Sequence, residues 1–170
     1  KYPMSRGFVK EDDQEETPLV PPRAEVPNQV TNYITQNGMD ELLAEKQALV
    51  YEKSAIKAAT EQEKRIASNF IQAKIYMLED RIATAKIVDL NEQPKDEVRF
   101  GATVTLIIGN SSKFQTYQIV GVDEADIAKK KISFISPVAK ILIGKKVGEQ
   151  AILKLAKENR VFEVKEIRYY

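Results

Sequence analysis

Hydrophobic positions change period partway along the chain, and that change divides it. From Asn37 to about Thr60, Met39, Leu42, Leu49 and Ile56 recur at three- and seven-residue spacing among Glu and Lys, with no Gly or Pro after Gly38. This spacing predicts an amphipathic helix. The seam Met39, Leu42, Lys46, Leu49, Lys53, Ile56 places lysines at alternate core positions, where their stems must pack while their amines reach a polar environment. From about Gln62 to Lys86, Ile71, Ile75, Leu78, Ile82 and Ala85 keep a 4-3-4-3 spacing, and Ile66, Phe70, Ala73 and Met77 form a second stripe beside it. A wide apolar face results. Only a few residues around Thr60 connect the two helices, so they fold back as an antiparallel coiled-coil hairpin, an arm of roughly 33 Å at ~1.5 Å per residue.

Beyond Asp89 the run LNEQPKDEV is polar and holds Pro94, a linker expected at residues 90–98. After it the period becomes two. Val104, Leu106 and Ile108 alternate with their neighbours, Gly109 to Ser112 turns, and Phe114 to Val122 returns as the second strand of a hairpin. Ile132 to Phe134 predicts a short strand. Ser136 and Pro137 supply an N-cap and a first-turn proline for a short helix that Gly144 ends, and Ala151–Leu155 with Val161–Tyr169 form a closing hairpin. The predicted class is α+β: a helical hairpin at 37–89, then an antiparallel sheet with one short helix at 99–170.

Residues 1–36 differ from both parts. The cluster Glu11, Asp12, Asp13, Glu15, Glu16 precedes Pro18, Pro21, Pro22 and Pro27, a composition that resists collapse and favours extended backbone. An acidic, Pro-rich disordered tail is expected there, and Met4 offers a natural start, with Lys1–Pro3 then a remnant of something upstream. The net charge of +1 is uneven: −2 over residues 1–36, −1 over 37–89 and +4 over 90–170. That is a weaker basic face than free duplex DNA binding usually shows, so a protein surface is the favoured partner.

The chain has no Cys and no His, which excludes a Ser-His-Asp triad, a Cys-His dyad and every His- or Cys-ligated zinc site. Any chemistry must use carboxylates, Lys, Tyr, Ser or Thr, or a partner's active site. No run approaches the ~20 apolar residues that span a bilayer, and the N-terminus is acidic where a secretory signal is basic; a cytoplasmic location without membrane contact is expected.

Four blocks, FGATVTL (100–106), YQIVGVDEAD (117–126), ISFISPVAKILIGKKVGE (132–149) and FEVKEI (162–167), resemble in order and spacing the C-terminal domain of the Gre transcription elongation and transcript-cleavage factors. The AKIVD run at 85–89 resembles the end of that family's coiled coil. The resemblance covers about residues 37–170. It implies an FKBP-like C-terminal domain that grips the rim of the RNA polymerase secondary channel, a coiled coil inserted into the channel, and contact with nascent RNA or DNA in the elongation complex. The factor would act as a monomer, with no active site and no cofactor of its own, and with at most an indirect action on the polymerase Mg²⁺.

The family's Ser-Pro gripping loop maps onto Ser136 and Pro137, preceded by Ile135 where the family usually has a polar residue; the alternative role of Ser136-Pro137 is a helix cap alone. Asp123, Glu124 and Asp126 suggest either a solvated turn or, by resemblance, an acidic loop facing the polymerase. Lys129, Lys130 and Lys131 read as a solvated loop more readily than a phosphate site. At the arm's tip the family carries Gly-Asp-x-x-Glu-Asn, whose carboxylates help the polymerase hold a second Mg²⁺. This chain reads AATEQEKR there, and its arm is shorter by about a dozen residues. Glu61 and Glu63 are the tip candidates, and Thr60 with Glu63 also forms a capping-box pattern. Three functions follow: stimulation of cleavage through Glu61 and Glu63, occupation of the channel without cleavage, or an FKBP-like chaperone or prolyl isomerase.

Overall fold

The computed structural model describes residues 17–170. In chain order these form β1 (Tyr33–Ile34), α1 (Gln36–Ser54), α2 (Glu61–Thr84), β2 (Lys86–Ile87), β3 (Thr103–Ile108), β4 (Phe114–Val120), β5 (Lys131–Ser133), α3 (Pro137–Leu142), β6 (Gln150–Lys154) and β7 (Asn159–Arg168). A helical hairpin thus precedes a mostly antiparallel sheet carrying one short helix.

The hairpin follows the seam. Ile71, Ile75 and Leu78 are buried on α2 and Leu42 on α1. Ile34, Leu42 and Leu78 form the cluster at the hairpin's base, with Met39, Leu49, Ile82 and Ala85 packed on it. Both seam lysines find partners across the pair: Lys46 Nζ lies 3.1 Å from Glu79 Oε1 and Lys53 Nζ donates to Gln72 Oε1 at 2.5 Å. The stems pack while the charges stay near the surface, which is how an alternating Leu/Lys seam is tolerated. Helix α1 stops at Ser54, short of the expected Thr60. Ser54 Oγ donates to the Tyr51 carbonyl at 2.7 Å, local competition that disfavours a further helical turn, and Ile56 falls in the connection.

The five-stranded sheet has the order β5-β4-β3-β7-β6. Its pairings are antiparallel except β4 with β5, which run parallel through Gln118↔Lys131 to Val120↔Ser133. The chain reverses twice between them, the second time at Lys130, whose φ of 59° is left-handed. Between β3 and β7 the register shifts at Thr105/Leu106, so one extra residue on β7 bends the strand. The inward set Val104, Leu106, Ile119, Phe162 and Val164 packs with Ala139 and Leu142 of α3. Ser136 Oγ accepts from Ala139 N at 3.3 Å and Pro137 opens the helix, the cap and first-turn proline that the sequence predicts.

Two boundaries differ from expectation. Residues 32–36, assigned to a disordered tail, hold Asn32, Ile34 and Thr35 at no more than 5% exposure. Here β1 pairs parallel with β2, and Asn32 Nδ2 donates to the Arg81 carbonyl at 3.1 Å and to Thr84 Oγ1 at 3.3 Å. Those backbone and amide groups find partners only after α2 has returned the chain. The acidic cluster at 11–16 lies outside the described residues. Within the expected linker at 90–98, Asp89 caps a turn at Leu90–Glu92 and Val98 is fully buried in the sheet core, so that segment is anchored at both ends.

Candidate functional site

Three places carry the residues singled out by the sequence, and the structure treats each differently. The loop after β4 turns inward. Glu124 is 5% exposed, and its Oε2 accepts from Thr35 N and from Gly121 N, each at 3.0 Å. Its Oε1 accepts from the Thr35 hydroxyl, whose oxygen in turn accepts from Gly38 N at 3.0 Å. One carboxylate therefore fastens the start of α1 to the sheet domain. A Cβ at Gly38 would lie within 2.5 Å of Glu124 Cγ, Cδ and Oε1, so only glycine lets α1 approach this closely.

Asp123 is held beside it. Its side chain is 5% exposed and lies between two arginines. Oδ1 accepts from Arg23 Nε and Nη2, both at 3.1 Å, and Oδ2 accepts from Arg81 Nη1 at 2.9 Å. Arg23 also donates to Glu45 at 2.7 and 3.2 Å. The hydrogen bond to Glu45 holds the Arg23 guanidinium above its usual pKa, with burial opposing and Asp123 adding to the effect. Asp126 stays local, accepting from Ala128 N at 3.0 Å to cap a short turn. The expectation of an acidic surface loop facing a partner is corrected for Asp123 and Glu124: both carboxylates are engaged within the chain. Tyr33, Phe100 and Phe134, with ring centroids 5.5–5.9 Å apart, complete the same joint.

The Ser-Pro loop presents a different face. Pro137 is exposed while Ile135 and Ser136 are half-buried, and the Ser136 hydroxyl is turned to its capping bond. The turn is fixed by Ser136 N donating to the Ser133 carbonyl at 2.9 Å and by Ile135 N donating to Ser133 Oγ at 3.3 Å. Ile135 is thus partly covered, leaving Pro137 as the residue of this trio most open to a partner.

At the tip, Glu61 and Glu63 are exposed in the first turn of α2. Thr60 Oγ1 accepts from Glu63 N at 3.1 Å, and Glu63 Oε2 accepts from Ala59 N at 3.1 Å, so the capping pattern forms one residue wider than the standard box. Residues two apart on a helix point about 200° away from each other, so the pair does not share a face. Among the described residues no group of three or more His, Cys, Asp or Glu is arranged to hold a metal ion. Among the same residues no helix is long and apolar enough to cross a membrane. Sequence reasoning missed Arg23, Thr35, Gly38 and Arg81; a glycine in the first turn of an otherwise strong helix was the one available signal.

The structure defines a two-helix hairpin joined to a sheet domain through a buried polar joint. Comparison with known proteins gives the family. The domain described as transcription elongation factor GreA/GreB, C-terminal, matches residues 93–169. Transcription elongation factor GreA of Rhodospirillum rubrum is 41% identical over 105 residues, 62% of this chain and 67% of that protein. GreA of Rickettsia canadensis is 44% identical over 100 residues, 59% of this chain and 62% of its own length. The chain therefore belongs to the GreA/GreB family of transcription elongation factors, and it spans just under two thirds of the Rickettsia relative. The GreA factor homolog 1 structure from Thermus thermophilus is 24% identical and covers 82% of this chain and 99% of that one, with a TM-score of 0.38.

Proposed function

We propose that this chain is a cytoplasmic elongation factor that docks on RNA polymerase through its C-terminal domain, places its arm in the secondary channel, and acts mainly by occupying that channel. Family membership supports the choice of partner. The tip supports the mode of action: Glu63 is committed to a helix cap, Glu61 points elsewhere, and the spacing that would put two acids on one face is missing. A carboxylate that helps hold the metal of a Mg²⁺-dependent hydrolysis must bring its oxygen to it at ~2.0–2.1 Å, since attraction across screened water contributes little. The protein has no active site of its own in this reading, and any cleavage would be the polymerase's.

Backtracked elongation complexes incubated with the purified protein test it. The expected result is binding with weak or no cleavage, and competition against a cleavage-competent relative. Robust cleavage that Glu61→Ala/Glu63→Ala abolishes while binding persists would overturn the channel-filling reading. For docking, Pro137→Ala, at the exposed residue of the loop, should weaken binding with little change in Tm, whereas Ile135→Asp should lower both because that side chain is partly covered; affinity unchanged in folded Pro137→Ala would place the interface elsewhere.

A further inference from the structure

The stretch from Thr17 to Asn32 contributes neither helix nor strand, and it precedes the residues that the GreA/GreB domain matches. It nevertheless reaches every element of the joint. Arg23 lies with its fork on Asp123 of the sheet domain and its other edge on Glu45 of α1. Arg81 of α2 meets the same Asp123 from the opposite side and also donates to the Ala24 carbonyl. The segment then runs beside α2, forming one side of an open cleft of about 670 Å³ lined in part by Pro27, Asn32, Met77 and Arg81, and Asn32 fastens it to the end of α2. The apolar clusters of the hairpin and of the sheet domain are distinct, so the angle between the two units rests on the polar joint, one aromatic trio and the 90–98 connection, where Leu90 lies against Gly101 and Gln93 donates to the Phe100 carbonyl.

We propose that residues 17–32 are a strap that sets the direction of the arm, with Arg23 as the positioning residue. Direction matters because of leverage. Helix α2 has 24 residues, about 36 Å at ~1.5 Å each, so a rotation of about 10° at its base carries the tip roughly 6 Å. An arm aimed at a channel tolerates little of that. Arg23 is suited to the task because its planar fork joins two carboxylates at once, a geometry a lysine ammonium cannot copy. Removing it leaves Asp123 still paired with Arg81 and leaves Glu45 near solvent, so the fold persists while the strap keeps only its Ala24 and Asn32 bonds to α2 and loses its hold on the sheet domain and α1. The functional consequence rests on the channel-occupying reading; the strap itself does not.

The chain's lack of cysteine permits a direct test. Spin labels on Tyr51→Cys of the arm and Phe114→Cys of the sheet hairpin, 74% and 64% exposed, report the distance between the two units. The expected result is one narrow distance distribution in the parent protein, and one broadened or displaced in Arg23→Glu by about 4 Å, since Tyr51 lies ~22 Å along α1 and a rotation of about 10° moves it that far. Arg23→Ala should be intermediate and Arg23→Lys closer to Ala than to the parent. A second label pair, Leu19→Cys with Tyr76→Cys on α2, should show the strap moving away in the same variants. Distributions that superimpose on the parent in both Arg23→Glu and Arg23→Ala, with circular dichroism confirming folded protein, would overturn the proposal. Polymerase binding measured on the same samples separates the two readings: an altered distance without any binding in the parent sinks only the channel reading, and intact binding with an unaltered distance sinks only the strap.

Discussion

Gly38→Ala probes the joint with a single carbon. By helix propensity alone the change should stabilise α1, by at most about 1 kcal/mol. The position opposes that gain, because the added Cβ would meet Glu124 atoms within 2.5 Å. Glu124 has no easy retreat: its carboxylate is held by Thr35 N, Thr35 Oγ1 and Gly121 N, and Gly121 is itself pressed against the Tyr33 carbonyl. Overpacking of this kind costs about 1–3 kcal/mol, and losing one hydrogen bond to a buried carboxylate adds about 1.5–3 kcal/mol. Net destabilisation of about 2–4 kcal/mol is expected, a fall in Tm on the order of 10 °C for a chain of this size. Thermal melts followed by circular dichroism measure it. The sign should reverse in a Glu124→Ala background, where the same alanine meets open space and the propensity gain survives. A Tm that rises on Gly38→Ala in the parent protein, or strict additivity of the two substitutions, would refute the argument that this glycine exists to admit Glu124.

Two further outcomes follow from the geometry. Burial holds the Tyr169 phenol above its ordinary value of 10.0 while its hydroxyl donates to the Glu97 carbonyl at 2.6 Å. The fold therefore favours the neutral form, so this contribution is complete below pH 10 and is lost as pH rises through the elevated value; the stability gap between the parent and Tyr169→Phe, about 1 kcal/mol at neutral pH, should close in alkaline denaturation series. Thr60→Ala removes the cap of α2 and should cost about 1 kcal/mol, read as faster amide exchange at Glu61 to Glu63, whereas unchanged exchange would mean the tip turn is held by something other than its cap.

What the sequence disclosed and what it hid divide along physical lines. The α2 face was legible because Ile71, Ile75 and Leu78 repeat at the helical period, and α3 because Ser136, Pro137 and Gly144 each act locally on their own turn. The joint was not, since its partners lie 89 and 100 residues apart and no local period reports them. Asp123 and Glu124 resemble any solvated acidic turn until Arg23, Thr35 and Arg81 are in place. The segment before Asn32 reads from its acids and prolines as a disordered tail, and its attachment was hidden because Arg23 and Asn32 meet partners far along the chain. The parallel β4–β5 pairing was also hidden: a long irregular loop between two strands leaves their relative direction open, and here the chain makes its last turn at the left-handed Lys130 just before β5.

The tip raises the question of which effect governs cleavage. Freeing Glu63 from Ala59 to serve a metal would sacrifice a cap and a favourable dipole interaction, together on the order of 1–2 kcal/mol. A second metal ion held in a polymerase active centre could offset that readily, so energetics alone do not silence Glu63. Geometry is the stronger obstacle. Glu61 would still face away from any ion that Glu63 met, and the connection Ala55 to Thr60 would have to change its path to bring them together. A tip acid placed three or four residues from Glu63 would share its face and restore the missing pair. Gln62 and Lys64, its immediate neighbours, point away, and Arg65 lies on the wrong side by about 200° and carries the wrong charge. Ala59 precedes the cap and Thr60 is the cap, leaving Ile66 and Ala67 as the positions three and four residues away that are already on the helix, about a turn further from the tip. The arm therefore presents its two tip acids, Glu61 and Glu63, on different faces of α2, and that geometry is the ground on which the channel-occupying proposal stands.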